Sequence, residues 1–306
     1  MTNKRDLLAV GHTAFDYIMT LNEFPKANNS APINNMQNLY GGAAANVAIV
    51  GATLGLNTSL ISAVGNEFLN SRYKKKMDEL NINTDSFIIV NNKSTPTAFV
   101  LTDENRDQIS YFYWGASEEF KNSKIPEKAI NESEVIHLAT GDPHFNWKCG
   151  ISAKEQDKIV SFDPGQDLVM YSPEKLKEVI MNTSILFGNH YEIGRILDSL
   201  KTDIQGLREL GPKIVIKTCG KEGSEIYSDE DKIKIDAVVS DAVDPTGAGD
   251  SYRAGFLTRY INGESIEDSA KFASAVSSFI IGAQGCQTNI PSFDIAYERM
   301  IEFYSE

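Results

Sequence analysis

The chain has 306 residues, of which 42% are hydrophobic, 9% aromatic and 23% charged, an ordinary composition for a globular protein with a full core. A net charge of -13 argues against a nucleic-acid backbone or an anionic membrane as partner, because like charge repels over most of the surface. Three cysteines, Cys149, Cys219 and Cys286, are scattered without a C-x-x-C pair, so neither a disulfide framework nor a zinc site is supported and a reducing cytoplasm is expected.

The first eleven residues pass from two basic side chains into an apolar run too short for a signal peptide or a membrane span. That run, residues 7–11, closes on Gly11 and has the pattern of a buried strand. His12 and Asp16 follow it. Residues just past the C-terminal end of a parallel strand face the ligand crevice, which makes this polar pair a site candidate, although for His12 a satisfied histidine at the sheet edge is a simpler reading than direct catalysis. Residues 40–55 read as a Gly41-Gly42 turn feeding a helix of small residues, closed by Gly55 as C-terminal cap. Asn46 is the one polar side chain near the start of that helix.

Residues 58–65 read as a strand and 70–80 as a helix with a charged face, a βαβ rhythm that predicts a parallel sheet covered by helices. The rhythm then changes. Residues 97–102 and 108–114 are β-rich runs with period-two alternation, joined by the polar turn 103–107, and they predict a hairpin. Strands resume at 135–139, 158–162, 184–187 and 213–217, and each ends in polar, turn-forming residues. Asn189 followed by Glu192 is also a capping-box pattern, and the turn Thr218-x-Gly220-x-x-Gly223 also suits a simple link between two edge strands. Residues 266–281 read as an apolar helix of small residues.

The stretch DPTGAGDSYRAGF, residues 244–256, runs from a turn of small residues into a helix. Gly247, Ala248 and Gly249 carry little side-chain bulk, so their N–H groups approach a ligand closely, and a helix start adds unpaired donors and the positive end of the dipole. Such a nest suits charge developing on a phosphoryl group in transfer, and Asp250 in the first turn is placed to take a proton from an attacking hydroxyl. The same pattern also describes a tight turn with Asp250 as an N-cap.

Together with YGGAAANVA at 40–48, this stretch resembles the two signature regions of the ribokinase-like (PfkB) family of sugar and nucleoside kinases, and the resemblance covers essentially the whole chain. FDPGQDL, GNHYE, GDP and, near the end, AQGCQTN bring it most like the archaeal broad-specificity nucleoside kinases. The resemblance implies a single three-layer α/β domain over 1–306, with a mostly parallel central sheet and a β-sheet lid formed by about 13–38 and 90–115. It implies ATP-dependent phosphorylation of a nucleoside 5′-hydroxyl, with Asp250 as base and an anion hole from Gly247 to Asp250. Asp16, Gly41, Gly42 and Asn46 are then the ribose site, and His12, Gln108, Phe112, Asp142 and Gln166 complete the acceptor pocket. Asn189, Lys217, Thr218, Gly220, Gly223 and Thr246 attend the nucleotide, and Glu192 attends magnesium and its waters. A homodimer is expected by resemblance.

Two other classes fit less well. Gly11-His12-Thr13 fails the dinucleotide fingerprint G-x-G-x-x-G, and no G-x-x-x-x-G-K-[ST] is present. A ribokinase- or fructokinase-like sugar kinase stays open as an alternative, as does a non-catalytic nucleoside- or sugar-binding protein, for which the presence of Asp250 is the discriminating residue.

Overall fold

The computed structural model describes residues 4–229 and 232–305. The chain runs β1 (Arg5–Val10), β2 (Ala14–Thr20), β3 (Asn35–Gly41), α1 (Ala43–Thr53), β4 (Thr58–Ile61), β5 (Ala63–Gly65), α2 (Arg72–Glu79) and β6 (Ile88–Val90). Next come β7 (Thr97–Thr102), β8 (Gln108–Tyr113), α3 (Glu127–Asn131), β9 (Ser133–Leu138), α4 (Pro143–Glu155), β10 (Ile159–Phe162) and α5 (Pro173–Ile180). The remainder is β11 (Ile185–Asn189), α6 (His190–Leu200), α7 (Ile204–Leu210), β12 (Ile214–Thr218), β13 (Ser224–Tyr227), β14 (Lys232–Ile235), α8 (Ala248–Ile261), α9 (Ile266–Ile280) and α10 (Phe293–Tyr304).

The large sheet has the order β14-β13-β12-β11-β10-β9-β1-β4. From β12 to β4 all neighbours are parallel, and β13 and β14 complete one edge antiparallel. Successive strand residues point to opposite faces, and here both faces are apolar. Leu7, Val135, Ile185 and Ile214 pack against α1, α8, α9 and α10, while their neighbours Leu8, Ile136, Leu186 and Val215 pack against α4 to α7. This double burial gives the three layers and leaves the C-terminal strand ends as the open rim. Among the described residues no helix is long and apolar enough to cross a membrane.

A second sheet, β3-β2-β7-β8, rises from that rim. Register fixes it tightly: Asp16 pairs Leu39 and Ala98, and Ala98 pairs Phe112. The expected single strand at 58–65 is broken. Its first half, β4, is the last strand of the large sheet; after Ser62 the chain turns away and β5 pairs with β6. The alternation expected of the hairpin is also one-sided, because Ile109, Tyr111 and Tyr113 face solvent and only Phe112 of β8 is half-buried.

Candidate active site

Among the described residues, seven of the ten α-helices are capped by a side chain; the short α3 starts at Pro126 without one, and α1 and α8 start at glycines of positive φ. Ser71, Asp142, Ser172, Asn189, Asp203, Ser265 and Ser292 each cap a helix with a side chain that accepts a backbone N–H. By contrast, α1 and α8 begin at Gly42 and Gly247, with φ of 93° and 81° and no side-chain cap. Ala45 N donates to the His12 carbonyl and Ala248 N to the Pro245 carbonyl, but among the described residues the N–H groups of Ala43, Ala44, Gly249 and Asp250 have no protein acceptor, which is the condition for an anion-binding helix start. Glycine is obligatory at both places: a Cβ on Gly42 would strike the backbone of residues 12–14, and one on Gly247 would strike Cys286.

These starts bring two carboxylates together. Asn46 on α1 donates from Nδ2 to Asp250 Oδ2 at 2.8 Å. Burial pushes the Asp250 carboxyl up to about 7, with Glu192 adding to the rise and the Asn46 hydrogen bond opposing it. Asp16 on β2 is pushed up to about 7 by burial, then by the charges of Asp250 and Asp244. Its carboxylate lies over Gly41, where any side chain would overlap it. Among the described residues no protein hydrogen bond reaches the Asp16 carboxylate, so both its oxygens are available to hydroxyl groups.

Asn46 is itself held. Gln287 donates from Nε2 to Asn46 Oδ1 at 2.8 Å and to the Tyr73 hydroxyl at 2.7 Å, and that hydroxyl donates to the Gly41 carbonyl at 2.8 Å. With its oxygen occupied, the Asn46 amide must turn its NH₂ toward Asp250. Tyr73 and Gln287 carry no functional signal in the sequence beyond the latter's place in AQGCQTN; only the fold shows what they do.

The other predicted acceptor residues divide. His12 is buried in contact with the rings of Phe112 and Trp114, in and just after β8, at 5.3 and 5.2 Å between centroids, and its Nε2 lies 3.2 Å from Asp167 Oδ2. Asp142 is half-buried and caps α4 through Phe145 N. Gln166, in contrast, is exposed: residues 165–170 form a 3-10 turn of three residues per turn, which aims Asp167 inward and its neighbour outward. Gln108 pairs with Thr102 at the far end of β8, four residues and roughly 13 Å of strand from Phe112. Neither joins the pocket wall.

On the other side of the α8 start lies a cavity of about 400 Å³. Thr218, Gly220, Lys221 and Gly223 form one wall, Val238, Val239 and Ser240 a second, and Ser274, Ser277 and Ile281 of and after α9 a third; Ala248 and Gly249 close the inner end. Thr218, Gly220 and Gly223 thus line this cavity together, and Thr246 is exposed beside the rim with its N–H on Asp244 Oδ1. Lys217 is not there. It follows Ile216, which faces α8 and α9, so strand alternation turns Lys217 to the opposite face, where it forms an ion pair with Glu225. Lys221, in the turn itself, is the cavity's lysine.

Asn189 and Glu192 form a complete capping box: Asn189 Oδ1 accepts from Glu192 N at 2.9 Å and Glu192 Oε2 accepts from Asn189 N at 2.7 Å. Glu192 is half-buried, and that burial raises its carboxyl. Among the described residues no three acidic, His or Cys side chains cluster as a metal cage. A lone, desolvated carboxylate at the rim does suit magnesium, which keeps several waters and takes its remaining ligands from phosphates.

Residues 4–292 match the pfkB family carbohydrate kinase model. The chain is 57% identical over 299 residues to a nucleoside kinase of Methanothermobacter thermautotrophicus, covering 98% of this chain and 96% of that protein. It is 42% identical over 295 residues to a nucleoside kinase of Methanocaldococcus jannaschii, covering 96% of each. The crystal structure of the latter, described as an archaeal member of the ribokinase family, superposes with a TM-score of 0.94 at 41% identity, covering 97% of this chain and 98% of that one. With a family model spanning nearly its whole length and relatives this similar end to end, the chain belongs to the pfkB family of carbohydrate kinases.

Proposed function

We propose that the protein transfers the γ-phosphoryl group of ATP to the 5′-hydroxyl of ribonucleosides. The observation that carries this reading is that one uncapped helix start serves two compartments. Ala248 and Gly249 border the nucleotide-sized cavity, and Asp250, one residue on, faces Asn46 and Asp16 beneath the lid. The nucleoside kinases to which the chain is 57% and 42% identical support a nucleoside as acceptor and ATP as donor.

In this reading Asp16 accepts hydrogen bonds from the 2′- and 3′-hydroxyls, which every ribonucleoside shares, and the Gly41-Gly42 turn lets the ring approach the backbone. The 5′-hydroxyl then points at Asp250, whose carboxyl, raised to about 7, is matched to take a proton near neutral pH. The N–H groups of residues 247–250 receive the charge that develops on the transferring phosphoryl group. Glu192, fixed by Asn189, would order the waters of a magnesium ion whose charge offsets that of the polyphosphate. Phe112, Trp114 and His12 offer apolar and edge contacts to a base without fixing its identity.

The test is a panel of ribonucleosides, 2′-deoxynucleosides, ribose, fructose and fructose 6-phosphate, each incubated with ATP and magnesium and analysed for product. Ribonucleoside 5′-monophosphates are expected, with 2′-deoxynucleosides slower by about 5- to 150-fold in kcat/KM, the equivalent of leaving buried acceptors unpaired at roughly 1–3 kcal/mol. Phosphorylation of a sugar without nucleoside turnover would replace this reading with that of a sugar kinase.

A further inference from the structure

The base has an unassigned neighbour. Arg253 lies one helical turn after Asp250 on the same face of α8, and its Nη1 is 3.3 Å from Asp250 Oδ1. Its Nη2 forms an ion pair with Asp163 Oδ2, just past the end of β10. The three side chains are 11%, 18% and 4% exposed, so the cluster of one cation and two carboxylates is largely closed off from water. Asp163 is rigid: its N–H donates to Leu138 O at 2.9 Å, and its Oδ1 accepts from Gly165 N at 2.7 Å. Gly249 takes part as well, since a Cβ there would overlap Arg253 Nη1. The missing side chain at 249 therefore opens the nest from above and admits the guanidinium from below.

We propose that Arg253 is a positioning residue for the reaction, anchored on Asp163 and holding the Asp250 carboxylate in orientation and in its charged form. The proposal rests on Asp250 being the base. The division of labour follows from charge. An arginine paired to Asp250 alone would lower its pKa by about 1–3 units and make it a poor base. Sharing the cation with a second carboxylate weakens that pull. When Asp250 takes the hydroxyl proton and becomes neutral, Arg253 keeps Asp163 as counter-charge, so no buried cation is left uncompensated. The FDPG turn of the sequence thereby gains a function: it supplies the anchor.

Other ionisable groups also face this cluster. Asp16 from β2, Glu192 from α6, Tyr73 from α2 and Cys286 from the loop after α9 lie around Asp250, Asp244 before α8 acts on Asp16 and Cys286, and the neutral, buried His137 of β9 lies by Arg253. Arg253 and Asp163 are distinguished from all of these by the opposite effects expected on removing them.

The experiment compares Arg253→Gln, Asp163→Asn and the double variant with wild type, measuring kcat against pH at saturating substrates, the Kd for ATP, and Tm. Arg253→Gln should move the acid limb of kcat up by about one unit or more, cutting turnover roughly tenfold on that limb while recovering toward wild type at alkaline pH. Asp163→Asn should move the limb down, and the Kd for ATP should stay within about twofold in both. The double variant removes the charges together, so it remains readable where a single variant fails to fold; its limb should lie above that of wild type, because the nearer charge is gone. Limbs that stay put, or that shift the same way in both single variants with kcat falling equally at every pH, would overturn the proposal. So would a weaker Kd for ATP with an unmoved limb, which would place the guanidinium on the phosphates. Asp250→Asn measured in parallel separates the two claims: retained turnover removes the base itself, whereas lost turnover with unmoved limbs removes only the role of Arg253.

Discussion

Asp16 and Asp250 come from opposite ends of the chain and are left together short of water, each with a carboxyl raised to about 7, chiefly by burial. Two such groups titrate as a pair. Hydroxyl donors favour the ionised form of Asp16, so the affinity of the free enzyme for a ribonucleoside should rise as pH climbs through about 7 and level off above it. Titration calorimetry between about pH 5.5 and 8 should show a slope approaching tenfold per unit on the acid side, absent in Asp16→Ala, whose affinity should fall for every base alike. An unchanged slope in that variant, or a loss confined to one base, would place the anchor elsewhere. The sign for stability is opposite: between the ordinary carboxylate pKa and about 7 the folded state holds more protons than the unfolded one, so these groups weaken the unliganded fold as pH rises through that window. Asp16, Asn46 and Asp250 are legible in the sequence because each stands beside a glycine turn or strand end that predicts its surroundings. Arg253, Tyr73 and Gln287 are not, because their partners Asp163, Gly41 and Asn46 are supplied by distant segments. Lys217 misleads for a local reason, as one step along a strand reverses the face.

At the scale of elements, the informative contrast is between capped and uncapped helices. Gly247→Ala forces a side chain into left-handed backbone and against Cys286, and should cost roughly 1–3 kcal/mol of stability together with most of the turnover. Ser265→Ala removes the cap of α9, whose hydroxyl accepts from Asp268 N, and should cost about 1 kcal/mol while leaving turnover unchanged. Thermal melts and steady-state rates on the two variants separate a helix start used for ligand from one used for stability; equal losses of turnover in both would argue against the distinction. The helices and parallel strands are readable from periodicity because double-sided burial gives continuous apolar runs. The break at Ser62 is not, since residues 58–65 carry no Pro or Gly before Gly65 to mark a turn and only the edge position of β4 lets the chain leave the sheet. The β7–β8 hairpin is readable as strands, but its outer aromatics are not, because alternation alone does not say which face meets solvent.

For the whole molecule, parallel strand direction is the organising fact. It places the ends of β1, β9, β10, β11 and β12 on one rim, together with the starts of α1 and α8, so that His12, Asp142, Asp163, Asn189 and Thr218 converge although they are spread along the chain. In the proposed reading the net charge of -13 leaves an anionic nucleotide to be held locally, at the helix starts and by Lys221, rather than by the general field of the surface. In the proposed function one carboxylate at the shared helix start, Asp250, activates the acceptor. Single-turnover kinetics of Asp250→Asn with ATP and a ribonucleoside test it most directly. The account predicts a fall of about 100-fold or more in the chemical step with Kd values for both substrates within a few-fold of wild type. A chemical step at near wild-type rate in the variant would contradict it.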